Sequence, residues 1–156
     1  MLKSIFVPIN RAGWPFIAIF FSLTVIATYF SESFGWFGLI ITTWCVYFFR
    51  DPARFTPTRD GLIISPADGV IQMIEEATPP EELEMGDEPF NRIAVFMNVF
   101  DVHVNRVPIG GKIAKLAYRP GKFLNASLDK ASEFNERQSV RLTLPNKIDI
   151  AFVQIA

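Results

Sequence analysis

The apolar stretch near the N-terminus sets the tightest limit on what this chain can form. Between Ala12 and Phe49 the 156-residue sequence has one charged side chain, Glu32. Two runs, residues 13–30 and 36–49, are apolar on every side, so neither has the polar face of an amphipathic surface helix. The polar break SESFG between the runs predicts a hairpin of two hydrophobic helices.

The length of the two runs leaves two membrane placements open. A helix needs about 20 apolar residues to cross a bilayer, and both runs are shorter, so the hairpin either spans a thin bilayer or dips into one leaflet. A buried helical pair in a soluble protein is the alternative, but the domain that follows is small for covering so much apolar surface. Basic residues outside the two ends indicate a cell-membrane protein with both ends on the cytoplasmic side: Lys3, Arg11, Arg50, Arg54 and Arg59.

Charge separates the chain into two unlike parts. Residues 1–59 have five basic and two acidic side chains, whereas residues 60–156 have ten basic and fourteen acidic ones. A nucleic-acid-binding domain would have a dominant basic face, so that class of partner is excluded. We assign residues 1–59 to a membrane-associated helical hairpin with a basic flank, and residues 60–156 to a second domain.

The pattern from residue 60 onwards predicts strands and turns. GLIIS and GVIQMIEE flank the turn PADG, and NRIAVFMNVF has the composition of a strand buried on both faces. Residues 139–155 alternate around the turn PNK as in a β-hairpin, and the acidic, proline-rich segment 78–89 predicts a mobile surface loop. The expected fold class is mainly β within α+β, an antiparallel β-sheet domain with an N-terminal hydrophobic helical hairpin.

His103 is the only histidine in the chain. In FDVHVNRV, Asp101, His103 and Asn105 alternate with valines, so a strand would place these three polar side chains on one face. An aspartate two residues away can orient an imidazole and stabilise its protonated form, which would make His103 a proton donor at a cleft. A polar strand face that meets solvent explains the same pattern.

Asp68, like His103, has both a structural and a functional interpretation. The sequence does not indicate a metal site. The Asp68-Gly69 step is a turn signal between strands, but it also puts a carboxylate at a strand end where it can face a cleft. One histidine, scattered carboxylates and a single cysteine, Cys45, do not match any zinc-type ligand spacing. We therefore predict no metal site.

Four motifs in order give the chain a resemblance to a known family. FFRDPAR follows the apolar hairpin, and SPADGVI, FMNVFDVHVNRVPIGGKI and YRPGKFLNASLDKASEFNER come after it. This order and spacing resemble the short, bacterial type of phosphatidylserine decarboxylase from about Phe48 to Ala156. The resemblance implies an enzyme of phospholipid biosynthesis that converts phosphatidylserine to phosphatidylethanolamine.

The resemblance also implies a cofactor and roles for two residues. Proteins of this type are proenzymes that cleave themselves at a Gly-Ser step, and the serine becomes a pyruvoyl group on the smaller subunit, where it serves as the electron sink. Asp68 matches the aspartate that assists self-cleavage, and His103 matches a histidine implicated in proton transfer during decarboxylation. From the residues themselves, Arg119 and Lys122 flank a Pro-Gly turn where they could bind the lipid phosphate, or form a solvated basic loop.

Two departures from the family pattern limit which residue roles can be transferred from the family to this chain. Longer relatives have a second histidine where this chain has Arg106, so their serine-histidine-aspartate scheme of self-cleavage does not carry over. No Gly-Ser dipeptide occurs in the 156 residues. We expect a larger-subunit portion that is inactive alone and incomplete at its C-terminus, with the pyruvoyl-forming serine beyond residue 156.

The expected partners are a phospholipid membrane, the phosphatidylserine substrate and a smaller pyruvoyl-bearing subunit from the same proenzyme. Two other functions remain open. One is a non-enzymatic, membrane-tethered β-module that binds lipid or a partner protein, for which a change at His103 is silent. The other is a metal hydrolase built on Asp101 and His103, which would contain stoichiometric metal.

Overall fold

The computed structural model describes residues 7–124 and 134–156, and the chain forms two compact units. The first unit contains the chain up to Asp68 together with residues 97–106, and the second contains residues 69–96 and 107–156. The loop with His103 therefore belongs to the same unit as the apolar helices. The domain boundary after residue 59 stays a prediction, and part of the motif around residues 125–133 lies outside the described residues.

The hydrophobic hairpin of the first unit consists of two helices of equal length. Helix α1 runs from Trp14 to Phe30 and helix α2 from Glu32 to Phe48, each with 17 residues. The break between them is a single extended residue, Ser31, because α2 begins within the polar SESFG segment instead of after it. The predicted hairpin is confirmed, with a tighter turn than the sequence indicated.

Small residues bring the two helices close together. The hydroxyl oxygens of Thr24 and Thr42 lie 3.0 Å apart across the hairpin, and each hydroxyl also donates to the carbonyl oxygen four residues earlier. A Cβ atom added at Gly35 would collide with Thr28, and one at Gly38 would collide with Thr24. Close packing through glycine and threonine is typical of helices that associate in an apolar medium.

The outward faces of the hairpin are apolar. The helical stretch Arg11–Phe30, of 20 residues, is long and apolar enough to cross a membrane, and it is the one such stretch in the described part of the chain. Large apolar side chains stand exposed on both helices, an arrangement that water disfavours. They include Phe16, Ile19, Phe21, Leu23, Ile26, Trp36, Phe37 and Ile40.

The second unit contains two antiparallel sheets. Strands β1 (Val70–Ala77) and β2 (Phe90–Phe96) form a two-stranded sheet. Strands β3 (Lys112–Arg119), β4 (Arg137–Thr143) and β5 (Asp149–Ile155) form a three-stranded sheet in the order β3-β4-β5. The mixed fold class with antiparallel sheets is confirmed, as is the hairpin of β4 and β5 around the predicted turn.

Three expectations about the strands are wrong. GLIIS, residues 61–65, is not in a strand, and no strand occurs between residue 97 and residue 111, so FDVHVNRV is a loop. Strand β2 forms where expected but is not buried on both faces, since residues 90–93 are all exposed and Ile93 is 59% exposed.

The acidic segment 78–89 is held on β4 instead of extending as a free loop. It contains a 3-10 turn, Glu81–Leu83, in which Leu83 is fully buried. Glu82 accepts hydrogen bonds from Arg137 at 2.7 Å and from Ser139 at 2.8 Å. Burial raises the pKa of Glu82, but these hydrogen bonds outweigh it and hold the pKa below its usual value.

Asn135 joins three parts of the second unit through a buried side chain. Its amide nitrogen donates to the carbonyl oxygens of Leu124, at 2.8 Å, and of Ala156, while its amide oxygen accepts from the Leu124 N–H at 2.8 Å. The side chain is almost fully buried, with 1% of its residue surface exposed. Asn135 thus fastens the segment after the RPGKF turn to the end of β5.

Replacing Asn135 with alanine should destabilise this unit strongly. The change removes three hydrogen bonds, and each contributes a net amount of about 0.5–1.5 kcal/mol, so we expect the free energy of unfolding to fall by about 2–4 kcal/mol. Urea unfolding of the full chain measures this change. Asn146→Ala, at the exposed β4–β5 turn, is the matched control and should cost less than about 0.5 kcal/mol. Equal losses in the two variants would contradict the role of Asn135.

Candidate active site

A short turn, Asn98–Asp101, precedes His103 and is closed by its own side chains. The Asp101 N–H donates to the Asn98 carbonyl at 3.0 Å, and the Asn98 N–H donates to the Asp101 carboxylate at 2.8 Å. The Asn98 side-chain oxygen accepts from the Phe100 N–H at 2.8 Å. These local bonds satisfy the backbone groups that a strand would have paired, which explains why the predicted strand does not form.

The imidazole of His103 is fixed by a carbonyl group and an aromatic ring. Its Nε2 atom lies 3.1 Å from the Asn98 carbonyl oxygen. Since a carbonyl oxygen only accepts, Nε2 carries the proton and Nδ1 is the nitrogen left to exchange one. The ring stacks on Phe48 with centroids 4.3 Å apart and planes 20° apart. The predicted pairing with Asp101 is wrong, because that carboxylate caps the turn instead.

The turn is attached to the C-terminal end of α2. The Phe100 carbonyl accepts hydrogen bonds from Arg50 at 2.6 Å and from the Tyr47 hydroxyl at 3.2 Å. The Phe100 ring meets Trp44 edge-on, with centroids 5.2 Å apart. Sequence patterns missed these contacts because the partners are some fifty residues apart; the only signal was the motif FFRDPAR, which contains Phe48 and Arg50.

Arg106, at the position of the second family histidine, is a structural link. Its guanidinium donates to the Asp51 carboxylate at 2.5 Å and to the Pro52 carbonyl at 3.1 Å. Its backbone N–H donates to the Pro66 carbonyl at 2.8 Å. Arg106 therefore ties the segment after α2 to the segment before Asp68. A guanidinium stays protonated in proteins, so this residue does not replace a histidine in proton transfer.

Asp68 has an arginine partner of its own. Its carboxylate forms an ion pair with Arg54, and the two side chains are 40% and 38% exposed. Next to it, Gly69 has φ +145°, and a Cβ atom there would collide with the Phe96 carbonyl oxygen, so the turn after Asp68 requires glycine. Among the described residues, no hydrogen bond joins Asp68 to His103, although both belong to the first unit.

The other two predicted site residues lie in the second unit. Arg119 is the last residue of β3, and Lys122 follows the Pro-Gly turn. The Lys122 backbone N–H donates to the Phe134 carbonyl at 2.8 Å, which fixes the turn, while both basic side chains belong to exposed residues. Phosphate binding by Arg119 and Lys122 stays a prediction.

Within residues 7–124 and 134–156, no group of three or more histidine, cysteine, aspartate or glutamate side chains could hold a metal ion. Two buried side-chain atoms in that part of the chain have no hydrogen-bond partner, Nε of Arg137 and the side-chain oxygen of Asn105. Asn105 lies between His103 and Arg106 in sequence. A donor from outside the described residues would satisfy it.

Replacing Phe48 with leucine should change the environment of His103 without removing the imidazole. Stacking places the imidazole hydrogens in the shielding cone of the Phe48 ring, so we expect the His103 Cε1–H resonance to move downfield when the ring is lost. The single histidine makes this proton NMR signal unambiguous. Phe49→Leu is the control, because Phe49 stacks on Phe16 at 5.5 Å and meets the Phe48 ring edge-on, whereas the ring that stacks on His103 is that of Phe48. An unchanged His103 signal in Phe48→Leu would show that the stack is absent in solution.

Comparison with known proteins identifies the family. Residues 41–156 match the family model for phosphatidylserine decarboxylase. The chain is 57% identical over all 156 residues to the phosphatidylserine decarboxylase proenzyme of Cereibacter sphaeroides, of which it covers 67%, and 56% identical to that of Paramagnetospirillum magneticum, of which it covers 65%. It thus spans about two thirds of the length of these relatives. The family expected from the order of the motifs is confirmed: the chain belongs to the phosphatidylserine decarboxylases, a family of carboxy-lyases.

Proposed function

We propose that this chain supplies the membrane hairpin and the proton-transfer residue of a phosphatidylserine decarboxylase. Family membership gives the reaction class, and the observation that carries the proposal is the fixed imidazole of His103. Its Nε2 proton is held by the Asn98 carbonyl, and its face rests on Phe48. In the reaction the bond between Cα and the carboxylate breaks, CO2 leaves, and a proton must return to Cα. A positioned imidazole is the side chain most often used for such a transfer.

The described residues fit a cofactor with a carbonyl group. The relatives are named proenzymes, which agrees with self-processing into two subunits and a pyruvoyl group on the smaller one. When bound, that group supplies a carbonyl that takes up the electron pair of the broken bond. The chain itself offers an imidazole with an available Nδ1 and, at Asn105, a buried acceptor without a partner. Such an acceptor suits the ammonium group of a serine headgroup.

Each candidate residue then has one task. His103 in its doubly protonated form donates the Nδ1 proton to Cα and is left as the Nε2–H tautomer, whose remaining proton is held by the Asn98 carbonyl. Asp68 assists self-cleavage as a carboxylate, and Arg54 holds that carboxylate in place through the ion pair. Arg119 and Lys122 bind the phosphate of the lipid, since arginine can donate two parallel hydrogen bonds to phosphate oxygens.

The apolar hairpin keeps this chemistry at the membrane. Its outer faces expose large apolar side chains, and α1 is part of the helical stretch Arg11–Phe30, which is long enough to span a bilayer. We place the hairpin in the cell membrane with the remainder of the chain on the cytoplasmic side, as the flanking basic residues indicate. A diacyl substrate then stays in the bilayer, and only its serine headgroup has to reach His103.

The complete gene product tests the proposal directly. It should separate into two chains on a denaturing gel, the smaller chain should have the mass of a pyruvoyl N-terminus, and the purified protein should form phosphatidylethanolamine from phosphatidylserine in vesicles. A product that stays as one chain and forms no phosphatidylethanolamine would overturn it, and would leave the non-enzymatic lipid-binding module as the better description.

A further inference from the structure

The turn before His103 presents apolar side chains at its apex. Val99 is 56% exposed and Phe100 is 61% exposed, although the polar groups of the turn are bonded internally. Trp44 and Tyr47, which contact Phe100, are themselves 38% and 43% exposed. The three aromatic side chains contact one another, and Val99 is exposed next to Phe100 in sequence; we call these four residues, Trp44, Tyr47, Val99 and Phe100, the aromatic patch. A contiguous apolar patch of this kind marks an interaction surface, whereas single exposed apolar residues do not.

Contacts with α2 fix the position of the patch along the helix axis. The Phe100 ring lies against Trp44, which comes four residues before the last residue of α2, Phe48. At 1.5 Å of rise per residue, Trp44 lies about 6 Å from the end of the helix. Phe100 therefore lies beside the last turn of the apolar helix α2, about 6 Å back along the helix axis from its C-terminal residue Phe48.

The chemistry of the patch fits the boundary between lipid headgroups and acyl chains. Tryptophan and tyrosine combine an apolar ring with a polar group and concentrate at that depth. Arg50 lies over the Tyr47 ring, with its guanidinium carbon 3.8 Å from the ring centroid, and supplies a cation at the same level. Exposed apolar side chains such as Val99 and Phe100 are unfavourable in water. The turn does not need them to form, because its backbone hydrogen bonds are made by Asn98 and Asp101.

We infer that the aromatic patch lies within the headgroup–acyl boundary of a phospholipid bilayer, so that the Asn98–Asp101 turn is a membrane-binding element. His103 stacks on Phe48, the last residue of α2, and is thereby held at headgroup level. The inference relies on the proposed function only for the role of His103. The depth of the turn is a property of this chain and can be measured without any assay of activity.

Spin labels measure that depth in the full chain. Cys45 is the only cysteine, so Cys45→Ala allows a single label at Val99→Cys, with Leu23→Cys in α1 as the inserted reference and Asn146→Cys at the β4–β5 turn as the aqueous reference. The chain is reconstituted in vesicles of phosphatidylcholine and phosphatidylglycerol, and accessibility to oxygen and to a water-soluble nickel chelate is compared. The label at position 99 should lie about 5–10 Å below the phosphates, the depth of interfacial apolar faces.

Two results would overturn the inference. If the label at position 99 is as accessible to nickel as the one at position 146 while the label at position 23 is inserted, the turn lies in water. If it is shielded from both oxygen and nickel, protein covers the patch instead of lipid. Decarboxylation of short-chain, soluble phosphatidylserine by the processed enzyme reports separately on the proposed function, so failure of one is distinguishable from failure of the other.

Discussion

Replacing His103 with glutamine should lower the rate of phosphatidylserine decarboxylation by about 10²–10⁴-fold, the usual contribution of a positioned acid or base. The glutamine amide can still donate to the Asn98 carbonyl, so the turn should keep its shape, but it cannot exchange a proton near neutral pH. We expect kcat to fall with little change in KM, measured as CO2 release from processed enzyme.

Two controls make the His103 result specific. The fraction of processed chain on a denaturing gel separates a loss of decarboxylation from a loss of self-cleavage, since the same histidine could serve both steps. Phe48→Leu keeps the imidazole but removes the ring that holds it, so its kcat should lie between those of the wild-type enzyme and His103→Gln. A silent His103→Gln change would favour a non-enzymatic module.

Replacing Asp68 with asparagine should slow self-cleavage by about 10²–10⁴-fold, because the amide has the shape of the carboxylate but cannot take up a proton. The variant should accumulate as a single uncut chain in a time course on a denaturing gel. Arg54→Lys preserves a cation beside Asp68 and should process at a rate closer to that of the wild type.

Asp51→Asn is the matched control for Asp68→Asn. Asp51 is also an aspartate paired with an arginine in the first unit, through its contact with Arg106. Partly exposed ion pairs of this kind contribute about 0–1 kcal/mol, so this variant should remain folded and process at a rate near that of the wild type. Similar processing defects in the two variants would show that the loss of an ion pair, and not the carboxylate of Asp68, is responsible.

Local patterns in the sequence were sufficient for the elements that form from neighbouring residues. The hydrophobic hairpin follows from two apolar runs and a polar break, and the pairing of β4 with β5 follows from alternation around Pro145-Asn146-Lys147. In both cases the chain folds back on itself over a few residues. The residues that determine each of these elements are therefore close together in the sequence.

The same reasoning failed where side chains compete with backbone pairing. Alternating valines around His103 resemble a strand, yet the side chains of Asn98 and Asp101 close a turn and take up the N–H groups that a neighbouring strand would need. Alternation of polar and apolar residues indicates an extended backbone, and an extended backbone occurs both in strands and in loops. The Asp101–His103 pairing inferred from that strand failed with it.

Long-range contacts lay beyond any single-sequence pattern. The stack of His103 on Phe48 and the bonds from Arg50 and Tyr47 to Phe100 join segments about fifty residues apart. The resemblance to a family placed both motifs in the same protein, but only the structure shows that FFRDPAR supports the histidine loop. Asn135 is similar, because its role depends on Leu124 and Ala156 meeting at one point.

Decarboxylation in deuterium oxide tests most directly whether His103 delivers the proton to carbon. The wild-type enzyme should place one deuterium at the headgroup carbon that loses CO2, in a single configuration, because a fixed imidazole can reach only one face of that carbon. We predict that His103→Gln forms product far more slowly and as a mixture of both configurations, which NMR distinguishes after the released ethanolamine headgroup is converted to the amide of a chiral acid. A His103→Gln enzyme that forms the same single configuration at the wild-type rate would contradict the assignment of His103 as the proton donor.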